Sequence, residues 1–395
     1  DVSAITFLGE QVVEKHPVLK TWGAGSPAAV PIESMIVSKG PYRPLARMRL
    51  ESAYPIVAGY KDVGAVGMHV RFSDPVQLNS ASITASVSPA GDIEDSERIH
   101  LRASYRRYDW RGYASLNNAD FYDLFGPTKV SRRGYSVGVG HTNTLVFDEP
   151  RRMDLSIDGS FSGHLDRLPE YQNVPVAVDR LFSATATLAY SDVRSSLGSV
   201  DDEKGQRWSV AVNEDAPGGA AFTRLHTTYD RGFALPSGHT SIWLRGAAGF
   251  SPQDRADPFA NFYFGGFGNN YVDVRSEKRY REYYALPGFS LNEIGGRNFT
   301  RGLIEWNAPP LRFKRAGSPG FYLSWIRPAV FAAGLATNLD DAASRRTAAD
   351  LGAQLDFRFT VLSTLDMTFS LGAAAGQADG GPARHEVMAS LRVLR

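Results

Sequence analysis

The sequence predicts an all-β fold: a sixteen-stranded antiparallel transmembrane β-barrel with one long loop between strands eleven and twelve. Three observations carry that expectation. From position 46 to 394 the chain reads as about sixteen segments of roughly ten residues, in which apolar side chains alternate with small polar ones. The polar side of these segments is too rich in Arg, Asp, Ser and Gly to be the packing surface of a second sheet. No run of about 18 apolar residues occurs, which excludes a helical membrane span.

Residues 1–45 lie outside this pattern. Phe7, Val12, Val13, Val18 and Leu19 give 5–22 the spacing of a short amphipathic helix, which Pro17 breaks, and 23–31 is a turn-rich linker. This segment is expected to be a periplasmic linker or to tuck into the lumen. The start Asp1-Val2-Ser3-Ala4 has neither a basic region nor a long apolar core, so the expectation is a processed chain or the C-terminal part of a longer one.

The expected barrel spans 46–395. Its strands run over 46–57, 64–73, 80–89, 98–107, 110–118, 134–142, 151–164, 180–193, 205–214, 220–233, 238–250, 298–309, 321–336, 349–361, 366–377 and 384–394. The alternation is clearest in the third, where Ala81, Ile83, Ala85 and Val87 interleave with Ser82, Thr84 and Ser86, on opposite faces of an extended chain. It recurs at Phe182, Ala184, Ala186 and Leu188 against Ser183, Thr185 and Thr187, and at Val387, Ala389, Leu391 and Val393 against Met388, Ser390 and Arg392. With the N-terminus periplasmic, the long connections 119–133, 165–179 and 251–297 face outside and most inside turns are short. The inside turn 194–204 is long for its place, and Pro328 predicts a bulge or a shifted boundary in strand thirteen. Tyr105, Trp110, Tyr135, Tyr190, Trp208, Tyr229, Phe250, Trp306, Tyr322 and Trp325 fall near strand ends, where amphipathic rings form girdles at headgroup depth.

Composition narrows the chemistry. Cysteine is absent, which excludes disulfides, thiol catalysis and cysteine-based zinc sites. A formal net charge of +1 gives no reason to invoke nucleic acid. The slightly negative mean hydropathy fits a barrel with a polar lumen. Ser237-Gly238-His239, and Ser162 near His164, lack the strand-turn-helix setting of a nucleophile elbow. The eight histidines show no HxxxH or HxH spacing, and His100 and His226 read as hydrogen-bonded lumen residues. Asp340-Asp341 and Asp201-Asp202-Glu203 read as solvated turns before cation sites. The expectation is therefore no enzyme and no cofactor or metal.

The loop 251–297 carries about ten aromatics and many glycines, a composition built to pack against a surface. It contains Phe262-Tyr263-Phe264-Gly265-Gly266-Phe267-Gly268. It leaves through Gly295-Gly296-Arg297-Asn298-Phe299 into Leu303-Ile304-Glu305-Trp306 and Pro310-Leu311-Arg312-Phe313. In layout over 46–395, and in motif over about 260–315, the chain resembles the outer-membrane assembly and two-partner secretion superfamily. That superfamily comprises the BamA-, TamA- and FhaC-like barrels and the bacterial surface antigen family. The resemblance implies a loop folded into the lumen, with Gly265, Gly266 and Gly268 at its opening. The family's tip is Val/Ile-Arg-Gly-Phe/Tyr; here Leu286-Pro287-Gly288-Phe289 stands in its place, with Pro287 where the family has Arg. The missing charge is then supplied by Arg279 or Arg281, or the loop is held by other contacts. Arg301 and Glu305 share one face of strand twelve with Leu303. With that face inward they are the lumen partners of the loop, Glu305 as counter-ion for a loop Arg or as a wall carboxylate bonded to any neighbouring Arg.

Two function classes follow. In the first, the barrel assists insertion, assembly or translocation of polypeptides through a gated lumen or lateral seam, where a client strand docks by β-augmentation. The seam strands are 46–61, softened by Gly59, Gly64 and Gly67, and 385–394, with Leu391 and Val393; the last strand lacks a terminal aromatic residue. In the second, the barrel is an anion-favouring channel walled by Arg102, Arg106, Arg111, Arg207, Arg245, Arg358 and Arg392, or a membrane anchor for a missing N-terminal periplasmic domain. The expected location is the bacterial outer membrane. The expected partners are its lipid and lipopolysaccharide, together with polypeptide clients or a periplasmic domain upstream in the same chain.

Overall fold

The computed structural model describes residues 14–18, 32–168 and 178–393. The chain divides into two compact units, Asp1–Ala46 and Arg47–Arg395. In the first unit the described residues include one exposed helical turn, Ile32–Met35. Apart from 14–18, the helix expected over 5–22 lies outside the described residues, as does the linker over 23–31.

The second unit is built from strands. They are β1 (Arg49–Tyr60), β2 (Val63–Ser73), β3 (Asn79–Val87), β4 (Ile99–Arg107), β5 (Trp110–Asn118), β6 (Arg132–Asp148), β7 (Arg151–Gly163), β8 (Arg180–Arg194), β9 (Lys204–Pro217), β10 (Phe222–Ala234) and β11 (Ser241–Phe250). The loop then carries three short strands, β12 (Phe262–Phe264), β13 (Val272–Asp273) and β14 (Ile294–Gly296). The chain ends with β15 (Asn298–Asn307), β16 (Leu311–Ser318), β17 (Phe321–Thr337), β18 (Arg346–Val361), β19 (Leu365–Ala378) and β20 (Arg384–Val393). Eighteen of these strands form one sheet, and β12 and β14 form a separate ribbon. From β1 to β11 each strand pairs antiparallel with the next. The ladder continues β11–β15–β17–β18–β19–β20, also antiparallel.

The two faces of this sheet are inverted relative to a soluble protein. In β18, Leu351 is 61% exposed while Asp350, Gln354 and Asp356 are buried. In β15, Ile304 and Trp306 are exposed while Arg301, Glu305 and Asn307 are buried. Water selects the opposite arrangement, because leucine gains and aspartate loses by leaving it. Hydrocarbon outside a polar interior selects this one. Trp110, Tyr135, Tyr229, Phe250 and Trp306 are among the exposed aromatics of the outer face.

Several boundaries differ from the sequence expectation. β1 begins at Arg49 and reaches Tyr60, three residues later at each end than 46–57. The strand expected over 298–309 stops at Asn307, and the chain resumes as β16 on the same neighbour, β17. Sequence reading placed no strand at 311–318, where the alternation lasts only from Leu311 to Lys314 before Arg315 breaks it. Pro328 explains the break. Its carbonyl accepts from the Ala308 amide at 3.0 Å, so the side on which proline has no N–H to offer faces the interruption at 308–310. β17 itself runs unbroken through Pro328, with a register shift between Leu323 and Trp325.

Candidate functional site

All of 251–297 is described, and it folds over the polar inner face of the sheet. Two glycines shape its opening. Gly265 (φ 153°) and Gly266 (φ 65°) adopt conformations that side chains disfavour, and a Cβ on Gly265 would lie 1.9 Å from the Ser290 carbonyl oxygen. Gly266 then exchanges backbone hydrogen bonds with Leu286 at 2.9 and 3.2 Å, which closes the loop on itself. The β12–β14 ribbon sets Phe262 and Phe264 edge-on to Phe299 of β15, with ring centroids 4.9 and 4.7 Å apart. These rings form one buried cluster with Leu286, Phe289, Ile294 and Leu335. A second cluster joins Phe267 and Tyr280 of the loop to Leu303, Phe331 and Met388. Tyr280 lies flat on Phe331, 4.0 Å between centroids and 13° between planes. Each such ring contributes about 1.5–3 kcal/mol by burial, so the aromatic content of the loop is its adhesive.

The tip is held without an arginine of its own. Pro287 is buried, and the Gly288 amide donates to Glu386 Oε2 of β20 at 2.8 Å while the Phe267 amide donates to Oε1 at 3.0 Å. Gly288 (φ 96°) touches the backbone of β19, where a Cβ would fall 2.5 Å from the Gly376 nitrogen. Phe289 covers the same Gly376.

The charges come from 278–281. Glu305, fully buried, accepts from Arg281 Nη2 at 2.6 Å and Nε at 3.0 Å, from Tyr280 Oη at 3.0 Å, and from Arg245 Nε of β11 at 3.2 Å. Arg281 Nη2 also meets Asp201 at 2.7 Å. Lys278 Nζ donates to Asn307 at 2.6 Å and lies 3.5 Å from Asp201 and 4.0 Å from Asp356. Arg245 is bonded in turn to Asp230, and Arg327 stands 3.9 Å from Asp201. Acids Asp201, Asp230, Glu305 and Asp356 thus face bases Arg245, Lys278, Arg281 and Arg327 in one network. Of the two loop arginines singled out in the sequence, Arg281 meets Glu305, and Arg279 turns back to Asp273 at 3.1 Å. Arg301 is a backbone clamp, donating to the Tyr280 carbonyl at 3.0 Å.

Asp201 was not singled out as a partner of the loop. The excess length of the 194–204 turn was its only signal, since the extra residues bring Asp201 to Arg281. Burial alone would raise its carboxyl, but the charges of Arg281 and Lys278 outweigh burial and hold it well below the usual range. A depressed carboxyl stabilises the fold above the unfolded value of about 3.9 and loses that contribution as pH falls through the lower folded value. The contribution of Asp201 to loop protection, read by limited proteolysis at 251–297 as the difference between the chain and Asp201→Asn, is therefore expected to stay constant from pH 8 to 5 and to weaken only below about pH 4.

Among the described residues, six of the seven arginines of the wall expected from the sequence, all but Arg106, carry compensated charge. Arg111 pairs with Asp158 at 3.0 Å, Arg358 with Asp366 at 3.0 Å, Arg392 with Glu277 at 2.6 Å, and Arg207 with Asp202. Arg102 donates to Asn118 at 2.7 Å. Carboxylates recruited from turns and neighbouring strands are what sequence spacing hides. The acidic pairs behave similarly: Asp340 and Asp341 hold Arg297 and Arg255, and Glu203 holds His239 at 2.7 Å. Ser237 donates to Thr240, away from its neighbour His239.

The first and last strands complete the site. Among the described residues β1 and β20 share no pairing. Gly59 of β1 instead exchanges two 3.0 Å hydrogen bonds with Asp120. From there the Phe125 carbonyl accepts from the Tyr271 amide at 3.0 Å, and the Tyr271 carbonyl accepts from the Leu391 amide of β20 at 2.8 Å. β13 pairs parallel with β20, Val272 opposite Leu391 and Asp273 opposite Arg392. Thr128 reinforces the contact between the two loops by donating to Asn270, its amide at 3.0 Å. Of the other seam residues, Gly64 has open space around it, a Cβ on Gly67 would lie 2.0 Å from the Ala85 oxygen, and Val393 pairs with Met367. Along β1–β5 the inner face is uncovered and borders a cavity of about 1040 Å³, lined in part by Tyr54, His69, Ser82, Thr84, Ser104 and Arg106.

No family model matches the sequence. No curated protein matches it either. Among solved structures, BamA from Haemophilus ducreyi lacking POTRA domains 1–3 is similar at a TM-score of 0.47 and 13% identity, over 88% of this chain and 70% of that one. CdiB from Escherichia coli is similar at a TM-score of 0.43 and 14% identity, over 90% of this chain and 63% of that one. CdiB from Acinetobacter baumannii is similar at 0.44 and 13%, over 87% and 59%. This chain resembles the BamA and CdiB structures in fold.

Proposed function

We propose that the chain is an outer-membrane β-barrel that assists insertion, assembly or translocation of polypeptides, with 251–297 as a plug in its lumen. On this reading β15 and β16 are one interrupted strand, the long antiparallel ladder has sixteen strands, and it closes with β1 and β20 on either side of a seam. The inverted faces support the membrane assignment. The observation that carries the function is the seam: two ends of a long ladder, left unpaired with each other and bridged by inserted loops, form a joint that can open without breaking a strand ladder. The clients are polypeptide strands, the surroundings are outer-membrane lipid and lipopolysaccharide, and no catalytic step is involved.

The test is folding of an unfolded eight-stranded barrel protein into liposomes containing the chain, followed by its heat-modifiable shift on gels. A rate several-fold above that in liposomes holding an unrelated porin is the expected result. Equal rates would leave the second reading, an anion-favouring channel or an anchor for a periplasmic domain.

A further inference from the structure

The free edges of β1 and β20 are not equivalent. Gly59 turns its N–H and C=O to the open side of β1, so with alternation Val57, Pro55 and Ala53 face that side too, and no register shift intervenes. Pro55 has no N–H, and Gly59 is already taken by Asp120. The β1 edge is blunted in the way edge strands commonly are.

The β20 edge is not. Leu391 turns its amide to the open side, so Ala389, Val387 and His385 present their N–H and C=O groups there, with no backbone partner on that side among the described residues. The loop runs beside them, from Phe267 at Glu386 to Asp273 at Arg392, but zips only at the last two residues. Between the unzipped part and β20 lies a cavity of about 390 Å³, bordered by Gly268, Asn269, Tyr271, Val387 and Ala389. Val387 is 81% exposed.

We propose that β20, not β1, is the edge on which a client strand docks, and that Tyr271–Asp273 is a built-in strand holding its place until the loop withdraws. The proposal rests on the assembly reading above. The occupant is an extended polypeptide segment alternating apolar and small polar residues. A segment of this chain already sits on that edge as a strand, and a strand added there must put apolar side chains on the outer face beside Val387 and polar ones beside Glu386 and Ser390.

The probe is a synthetic peptide of residues 79–87 of this chain carrying an aryl azide, photolysed with the full chain in liposomes and mapped by mass spectrometry. Because the chain has no cysteine, Val272→Cys with Leu391→Cys gives one disulfide that locks the latch and opens again on reduction. Deletion of 255–295 removes the latch. Labelling of 385–389 is expected to be lowest in the oxidised protein, to recover on reduction of the same sample, and to rise about tenfold in the deletion, as loss of a few backbone hydrogen bonds predicts. Labelling of 51–57 instead, labelling of 385–389 that ignores oxidation, or no labelling in a chain that still accelerates client folding overturns the proposal and leaves the assembly reading standing. No labelling together with no acceleration overturns both.

Discussion

Glu305→Gln is expected to lower the stability of the protein by about 3–5 kcal/mol, the cost of breaking a buried ion pair from one side. Glu305 has no contact with solvent and is the acceptor for Arg281, Arg245 and Tyr280 at once. The amide keeps its shape, but it leaves one excess positive charge among Arg245, Lys278, Arg281 and Arg327, and it presents N–H donors to groups that are themselves donors. An exposed pair provides the scale: Asp379→Asn, which removes the surface partner of Arg346, is expected to change stability by less than about 1 kcal/mol. Guanidinium unfolding in lipid vesicles measures both. Adding Arg281→Met to Glu305→Gln is expected to recover part of the loss, because the stranded charge goes with it. A Glu305→Gln loss no larger than that of Asp379→Asn would mean that the network does not hold the loop.

How much of this was legible in the sequence follows from what each feature depends on. Strand positions depend on period-two alternation, a local property, and the segments at Ala81–Val87 and Val387–Val393 show it directly. β16 has an alternation of only four residues, Leu311 to Lys314, too short to mark a strand, and its existence follows from its place along β17. Glu305 and Arg301 could be set on one face by counting along a strand. Choosing between Arg279 and Arg281 could not be done that way, since the single 3-10 turn at Arg279–Arg281 decides which arginine points to the wall and which back to Asp273. Asp201, Arg245, Arg327 and Glu386 come from four separate parts of the chain, and only the tertiary fold brings them to the loop. The parallel pairing of β13 with β20 is equally invisible, because two residues carry no periodicity.

The central claim is that 251–297 plugs a closed barrel, and conductance tests it most directly. A sixteen-stranded barrel is wide enough to leave an aqueous channel when nothing fills it. Here the loop covers the inner faces of β15 and β17–β20, and a cavity of about 1040 Å³ borders β1–β5. Deleting 255–295 leaves a six-residue connection between Phe250 and Asn298, which already face each other in register, so the β11–β15 hairpin can close without it. Single-channel recording in a planar bilayer, with and without 255–295, is therefore the decisive measurement. The account predicts little or flickering conductance in the full chain and a large, steady conductance in the deletion. A large, steady conductance in both, or none after deletion in protein shown to be inserted, would contradict it.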